Sequence, residues 1–447
     1  MMRAWSSASR QTVFVPPTSM PRTGILDILR CMIVLSGADL VLPGRIQPGG
    51  TLVIEGNRIV DITGTAGSST PSGSLRGHTI VPGFIDVHVH GLEGIDTLDG
   101  PDAIEAIARL LPRFGVTAFC PTTVACGPAR LREALQSVGH LRGAIGARAR
   151  VLPAHLESNF INPDYRGAQP IACLRRISGA RGAIGAIGAM GAVGAMGAMG
   201  AMGAMGAMGA EDFDGPDIVA EIDRAADAVG IVTLAPELDG ALDLIHHLVS
   251  RGRRVSLGHS GATLRQGRAA IEAGARHATH LFNRMPPLGH REPGLVGAIL
   301  TSEQVAAEVI CDGVHVHRDM VRMTIALKGT HRVMAITDGV AAAGLPDGAT
   351  ARLGGREIRV RHSAAYLEDG TLAGSVATMD RVFQYLVRDV GLSLNDAAQL
   401  CSTTPAAELS LQDLGAIAKG AIADLVVLDR ELNVRHTYVG GQLIYSI

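Results

Sequence analysis

Apolar positions in this chain fall into short runs bounded by polar turns, and between many of those runs lie amphipathic stretches with helical spacing. The first runs are Ile33-Val34-Leu35 and Leu52-Val53-Ile54, the second followed by Glu55-Gly56-Asn57-Arg58 and then Ile59-Val60. A Gly-Asn pair between two β-favouring runs predicts a hairpin, because both residues tolerate the positive φ angles of a tight turn. A similar β-rich composition returns at the far end, in Ala423–Leu428 and Val439–Ile444, so both ends are expected to share one small β module.

Between the ends, β-like runs alternate with helical stretches. They are Ile80-Val81 with Phe84-Ile85, Val116–Phe119, Arg150–Ala154, Ile231–Leu234, Val255–Leu257, His277–Thr279, Ala306–Ile310 and Val333–Ile336. Eight strand-then-helix repeats in about 250 residues or more are what a closed parallel barrel needs. The pattern therefore predicts an α/β fold, a TIM-like (β/α)8 barrel over residues 81–407. Residues 31–80 and 408–447 are expected to form a small β-sandwich. Most of the runs end in His, Glu, Pro or Asp, and side chains at the carboxyl ends of barrel strands converge on one mouth.

Two stretches fall outside this pattern. Residues 182–210 repeat Gly-Ala-Met and related triplets, a period of three that fits neither strand nor helix, and are read as a repeat insertion in a surface loop. Residues 1–30 carry Arg3, Arg10, Arg22 and Arg30 but lack the uninterrupted apolar core of a secretory signal, and are read as a loose, disordered extension.

Composition narrows the partners. With 447 residues, 47% of them hydrophobic, the chain can bury a large core. A net charge of -2 and a pI near 6.8 give no global positive field for nucleic acid or an anionic membrane surface. The six cysteines form no C-x-x-C pair, as expected for reduced thiols in a cytoplasmic enzyme, and no run has the character of a membrane-spanning helix.

His88 and His90 stand two apart at the end of an apolar strand, so both rings can face one metal ion. A bare H-x-H is weak evidence, and its weight comes from Glu157, His259 and His280, each at or just after another strand end, a mixed His/carboxylate set suited to a divalent metal. Asp338 closes the last strong strand, where it can act as general base and then acid, or equally cap a turn with the following glycine. Arg291 and His315 are candidates for gripping an anionic substrate group, although on spacing alone a salt-bridged loop arginine and a surface histidine explain them better.

These segments, in this order, resemble the N-acetylglucosamine-6-phosphate deacetylase family of the amidohydrolase superfamily. The resemblance is carried by Pro82–Gly91, His155-Leu156-Glu157, Thr233–Glu237, Gly258-His259-Ser260, Thr279–Asn283 with Met285, Arg291–Gly294, Asp312-Gly313 with His315, Thr337-Asp338 and Leu372–Ser375. It implies a primary divalent metal, zinc or iron, held by Glu157, His259 and His280, with a second ion admitted at His88 and His90. It implies that a metal-activated water attacks the acetamide of an amino-sugar phosphate, with Asp338 as base and then acid. Asn283, Arg291 and His315 would hold the sugar phosphate, Arg291 reaching the neighbouring subunit of a homodimer.

Four departures stand out around the implied pocket. Ser158-Asn159 replace the usual Gly-Pro after the glutamate, and Gln169 stands where the family places a histidine on the substrate carbonyl. Arg284 replaces a small residue, and Gly339 an alanine. Two other readings therefore stay open: a deacylase of a different N-acyl amino sugar, with Gln169 and Arg284 meeting altered ring substituents, and a non-catalytic descendant acting as a binding protein.

Overall fold

The structure, a computed structural model, describes residues 32–64, 75–142, 146–177 and 212–447. The expected extension at 1–30 and the Gly-Ala-Met tract at 182–210 lie outside the described residues.

The terminal β module is a seven-stranded sheet. Its order is Gln442–Ser446, Val434–Val439, Leu425–Leu428, Thr79–Pro82, Met32–Leu42, Arg45–Glu55 and Arg58–Thr63. Thr79–Pro82 joins the two ends: Val81 sits opposite Val426 on one side, and Ile80 beside Leu40 on the other. The expected hairpin pairs Glu55 with Arg58, and Gly56 takes a φ of 61°. Leu40, Leu52, Ile54, Ile59, Ile80, Leu425 and Val427 bury their side chains together as the core of this sheet.

The barrel strands follow in chain order: Phe84–Val89, Val116–Thr123, Ala154–Glu157, Val229–Leu234, Arg254–Leu257, His277–Ala278, Ala306–Ile310 and Val333–Ile336. Each pairs in parallel with the next. A helix returns the chain after every strand, from Ala103–Leu110 after the first to Met379–Arg388 after the eighth. Local sequence sets several helix starts: Thr263 and Gln266 form a reciprocal capping box ahead of Leu264–Glu272, which satisfies otherwise orphaned amides.

The run read as one strand, Ile80-Val81 with Phe84-Ile85, is two. The chain passes from sheet to barrel at Gly83, where a β-carbon would lie 2.2 Å from Thr117 Oγ1, so only glycine permits the approach.

Side chains and a single bridge finish the barrel between the first and last strands. Thr337 Oγ1 donates to Asp86 Oδ2 at 2.6 Å, Val89 bridges Gly339, and the His90 and Gly91 amides donate to the Gly339 carbonyl at 2.8 and 2.9 Å. Burial pushes the Asp86 carboxyl up to about 7 against the lowering effect of hydrogen bonds from the Thr337 hydroxyl and the His88 and Thr337 amides. A four-stranded antiparallel sheet, Thr350–Leu353, Arg356–Arg361, Ala364–Tyr366 and Leu372–Ser375, interrupts the last repeat; the apolar pattern had suggested no sheet there. No described helix is long and apolar enough to cross a membrane.

Candidate metal centre and active site

The barrel brings His88, His90, Glu157, His259, His280 and Asp338 to one mouth. Glu157 ends the third strand, while His259, His280 and Asp338 each lie two residues beyond a strand. Those three have φ angles of 47°, 26° and 48°, in the left-handed region that costs non-glycine residues of order 1–3 kcal/mol each. Surrounding hydrogen bonds hold them there. The Asn162 amide donates to the His259 carbonyl, the Ser375 amide to the Asp338 carbonyl (both 3.0 Å), and the His280 amide to Glu308 Oε2 at 3.2 Å.

Glu157 is the hub. Its Oε1 lies 2.8 Å from the Nε2 atoms of both His259 and His280 and 3.8 Å from His88 Nε2, and its Oε2 lies 3.4 Å from His90 Nε2. His259 Nε2 and His280 Nε2 are 3.1 Å apart, and His88 Nε2 and His90 Nε2 3.2 Å. Burial alone would raise the Glu157 pKa, but the histidines facing it hold the carboxyl well below the ordinary range.

The donor set fits divalent metal. His259 Nδ1 lies 2.8 Å from the Tyr165 carbonyl oxygen, which can only accept, so Nδ1 carries the hydrogen. In the neutral ring, Nε2 then presents a lone pair to a carboxylate oxygen and to another imidazole nitrogen. His88 repeats the arrangement: Nδ1 faces Glu308 Oε2 at 2.9 Å, and Nε2 faces His90 Nε2 and, at 3.3 Å, Asp338 Oδ1. Electron pairs aimed at one another in a buried site call for a cation between them, and fixing a ligand histidine through its second nitrogen is the usual device of metal sites. Glu157 with His259 and His280, and Glu157 with His88 and His90, each bring one ligand atom per residue within 4.8 Å of one another.

A cleft of about 680 Å³ opens over these residues, lined by His90, Glu157, His259, His280, Asn283, Arg284, His315 and Asp338 among others. His315 is oriented by its Nδ1, 2.6 Å from Asp312 Oδ2. Among the described residues, Arg284 is the only lysine or arginine lining the cleft. Its Nη2 donates to the Leu372 carbonyl at 2.8 Å, and burial pulls its pKa below the usual arginine value. Arg291 is exposed and does not line the cleft, so the described chain does not itself bring it to the other site residues.

Two of the departures from the family pattern are anchored by local hydrogen bonds. Gln169 is buried with its amide engaged at both ends, Oε1 accepting from the Ala125 amide at 2.8 Å and Nε2 donating to Glu157 Oε2. It thus clamps the hub carboxylate. In place of a rigid Gly-Pro turn, Asn159 Nδ2 donates to the Cys126 and Cys173 carbonyls at 2.8 and 2.7 Å.

Glu308 was not among the residues singled out from sequence, yet it contacts His88 and His277 and lies fully buried. A charged residue inside the apolar run Ala306-Ala307-Glu308-Val309-Ile310 was the available signal, since such residues are almost never fully buried unless paired.

An eight-stranded parallel barrel whose mouth gathers histidines and carboxylates defines a hydrolase of the metal-dependent barrel class. The chain belongs to the amidohydrolase family, whose profile matches residues 79–444. It is 35% identical over 444 residues to N-acetylglucosamine-6-phosphate deacetylase of Rattus norvegicus, covering 94% of this chain and 96% of that one. It is 33% identical over 370 residues to N-acetylgalactosamine-6-phosphate deacetylase of Escherichia coli O157:H7, covering 81% and 87% respectively. Among solved structures it is similar to a mutant N-acetyl-D-glucosamine-6-phosphate deacetylase from Mycobacterium smegmatis in complex with N-acetyl-D-glucosamine-6-phosphate. The TM-score is 0.78 at 31% identity, covering 93% of this chain and 100% of that one.

Proposed function

We propose that the protein hydrolyses the acetamide of N-acetylglucosamine 6-phosphate, giving glucosamine 6-phosphate and acetate, as a metal-dependent step of amino-sugar catabolism. The observation that carries this reading is the convergence of His259 and His280 on Glu157 beside Asp338, at the floor of a cleft large enough for a sugar phosphate.

Glu157, His259 and His280 would hold the primary divalent ion, zinc or iron, and His88 with His90 a second. When bound, such an ion polarises an acyl carbonyl and makes water acidic enough to attack near neutral pH. Asp338 lines the cleft with its Oδ1 3.3 Å from His88 Nε2 and 3.5 Å from His90 Nε2, and there it takes a proton from the attacking water as the water oxygen bonds to the acyl carbon. It returns that proton to the sugar nitrogen as the C–N bond breaks, so the amine leaves neutral. Gln169 holds the Glu157 carboxylate still during both steps, while Asn283, Arg284 and His315 grip the sugar phosphate. Arg291 completes the anion site from the neighbouring subunit of a cytoplasmic homodimer.

A second reading, deacetylation of the galactosamine epimer, is supported by the similarity to the Escherichia coli enzyme. Acetate release measured with N-acetylglucosamine 6-phosphate, N-acetylgalactosamine 6-phosphate and unphosphorylated N-acetylglucosamine separates these. The highest kcat/KM is expected with the first; preference for the second favours the epimer, and activity confined to the third would overturn the phosphate assignment.

A further inference from the structure

Glu308 sits in the middle of the seventh barrel strand with no solvent exposure, flanked by buried Ala307 and Val309. A carboxylate withdrawn from water is costly unless its lone pairs are taken up. Among the described residues no lysine or arginine is shown paired with it; histidines are. His277 Nε2 lies 2.8 Å from Oε1, His88 Nδ1 2.9 Å from Oε2, and His155 Nδ1 3.5 Å from Oε1. The His280 amide donates to Oε2 as well.

The contact with His88 has a directional consequence. An ionised carboxylate only accepts, so His88 carries its hydrogen on Nδ1 and turns Nε2 toward the cleft. That nitrogen meets His90 Nε2 at 3.2 Å, Asp338 Oδ1 at 3.3 Å and Glu157 Oε1 at 3.8 Å. With the opposite tautomer, Nδ1 would set a lone pair against the Glu308 carboxylate and Nε2 would no longer be a ligand.

We infer that Glu308 is a positioning residue that fixes His88 as an Nε2 donor, and that the second divalent-cation position already assigned to His88, His90 and Glu157 depends on it. The inference rests on the metal-dependent reading above. It makes Glu308 matter more for the His88 ring than for the position held by Glu157, His259 and His280, since His259 takes its ring orientation from Tyr165 and Glu308 meets His280 only at the backbone amide, at 3.2 Å. Beyond Glu308 the buried chain continues to His277, whose Nδ1 lies 3.5 Å from Glu408 Oε1, and on to Arg254, whose Nη1 is 2.7 Å from the same oxygen. Glu408 thus shares the network without touching His88, which makes it a control.

The test is zinc stoichiometry and affinity, measured by equilibrium dialysis with elemental analysis on metal-stripped full-length protein. Wild type is expected to bind two ions per chain, Glu308→Leu one, and Glu408→Gln two. Glu308→Gln keeps an acceptor for His88 and guards against a Leu variant that fails to fold; it is expected to bind the second ion about 10- to 100-fold more weakly. A wild type that binds one ion, folded Glu308 variants with wild-type stoichiometry and affinity, or equal loss in Glu408→Gln would each overturn the inference. Two ions in wild type without acetate release from any sugar phosphate would defeat the proposed activity while leaving the role of Glu308 standing.

Discussion

His259 and Tyr165 are joined by a 2.8 Å hydrogen bond from the imidazole Nδ1 to a backbone carbonyl oxygen, and that bond commits the other ring nitrogen to facing Glu157. Without a metal, protons must occupy the space between the facing lone pairs. The directions agree: although burial opposes it, the surrounding carboxylates, Glu308 foremost, lift His88 to about 10, and Glu157 raises His280. A metal must displace those protons, so lowering the pH strengthens its competitor. Zinc affinity of the stripped protein is expected to fall as pH drops from about 9 to 6, by about tenfold per unit for each proton displaced, with protons released on binding. Affinity independent of pH, measured by calorimetry in buffers of different ionisation enthalpy, would show that these nitrogens are not the ligands.

Asp338 is expected to move protons rather than to build the site. Asp338→Asn should lower kcat by about 10²- to 10⁴-fold and leave bound metal unchanged. Metal lost in parallel with activity would reassign the residue as a ligand.

Gln169 touches Glu157, so its removal should register in metal binding before it registers in substrate recognition. Gln169→Ala is expected to weaken the primary ion by about 10- to 100-fold. An unchanged metal affinity with a raised KM would return Gln169 to the substrate.

Among the described residues, Arg284 is the permanent cation that lines the cleft. Charge-assisted hydrogen bonds of about 1.5–3 kcal/mol convert to about 10- to 150-fold, so Arg284→Ala should raise KM for the phosphorylated sugar by that factor and hardly alter it for the unphosphorylated one. Equal losses on both substrates would place its action elsewhere, for instance in holding the Leu372 segment.

Much of this site is legible in the sequence because a barrel converts a one-dimensional pattern into a ring. Glu157, His259, His280 and Asp338 are separated by long stretches of chain, but each closes an apolar run, and parallel strands carry all such ends to one mouth. What stays hidden depends on contacts between strands or on single residues. Glu308 lies inside a strand, and its partners come from the first, third and sixth strands. Gln169 reaches Glu157 only because the intervening loop folds back. The division at Gly83 is invisible to hydrophobic periodicity, since strands on either side are equally buried. In the Arg356–Arg361 strand the charged residues Glu357, Arg359 and Arg361 are exposed and only Ile358 and Val360 are buried, so its apolar face is too short to stand out as a run.

Metal-dependent deacetylation of the sugar phosphate is tested most directly by following acetate released from N-acetylglucosamine 6-phosphate by one preparation of the full-length protein, first chelator-treated and then titrated with zinc or iron(II). We expect turnover to be lost with the metal and to return in proportion to the ion bound. Full turnover by the metal-free protein, or none by the fully reloaded one, would contradict it.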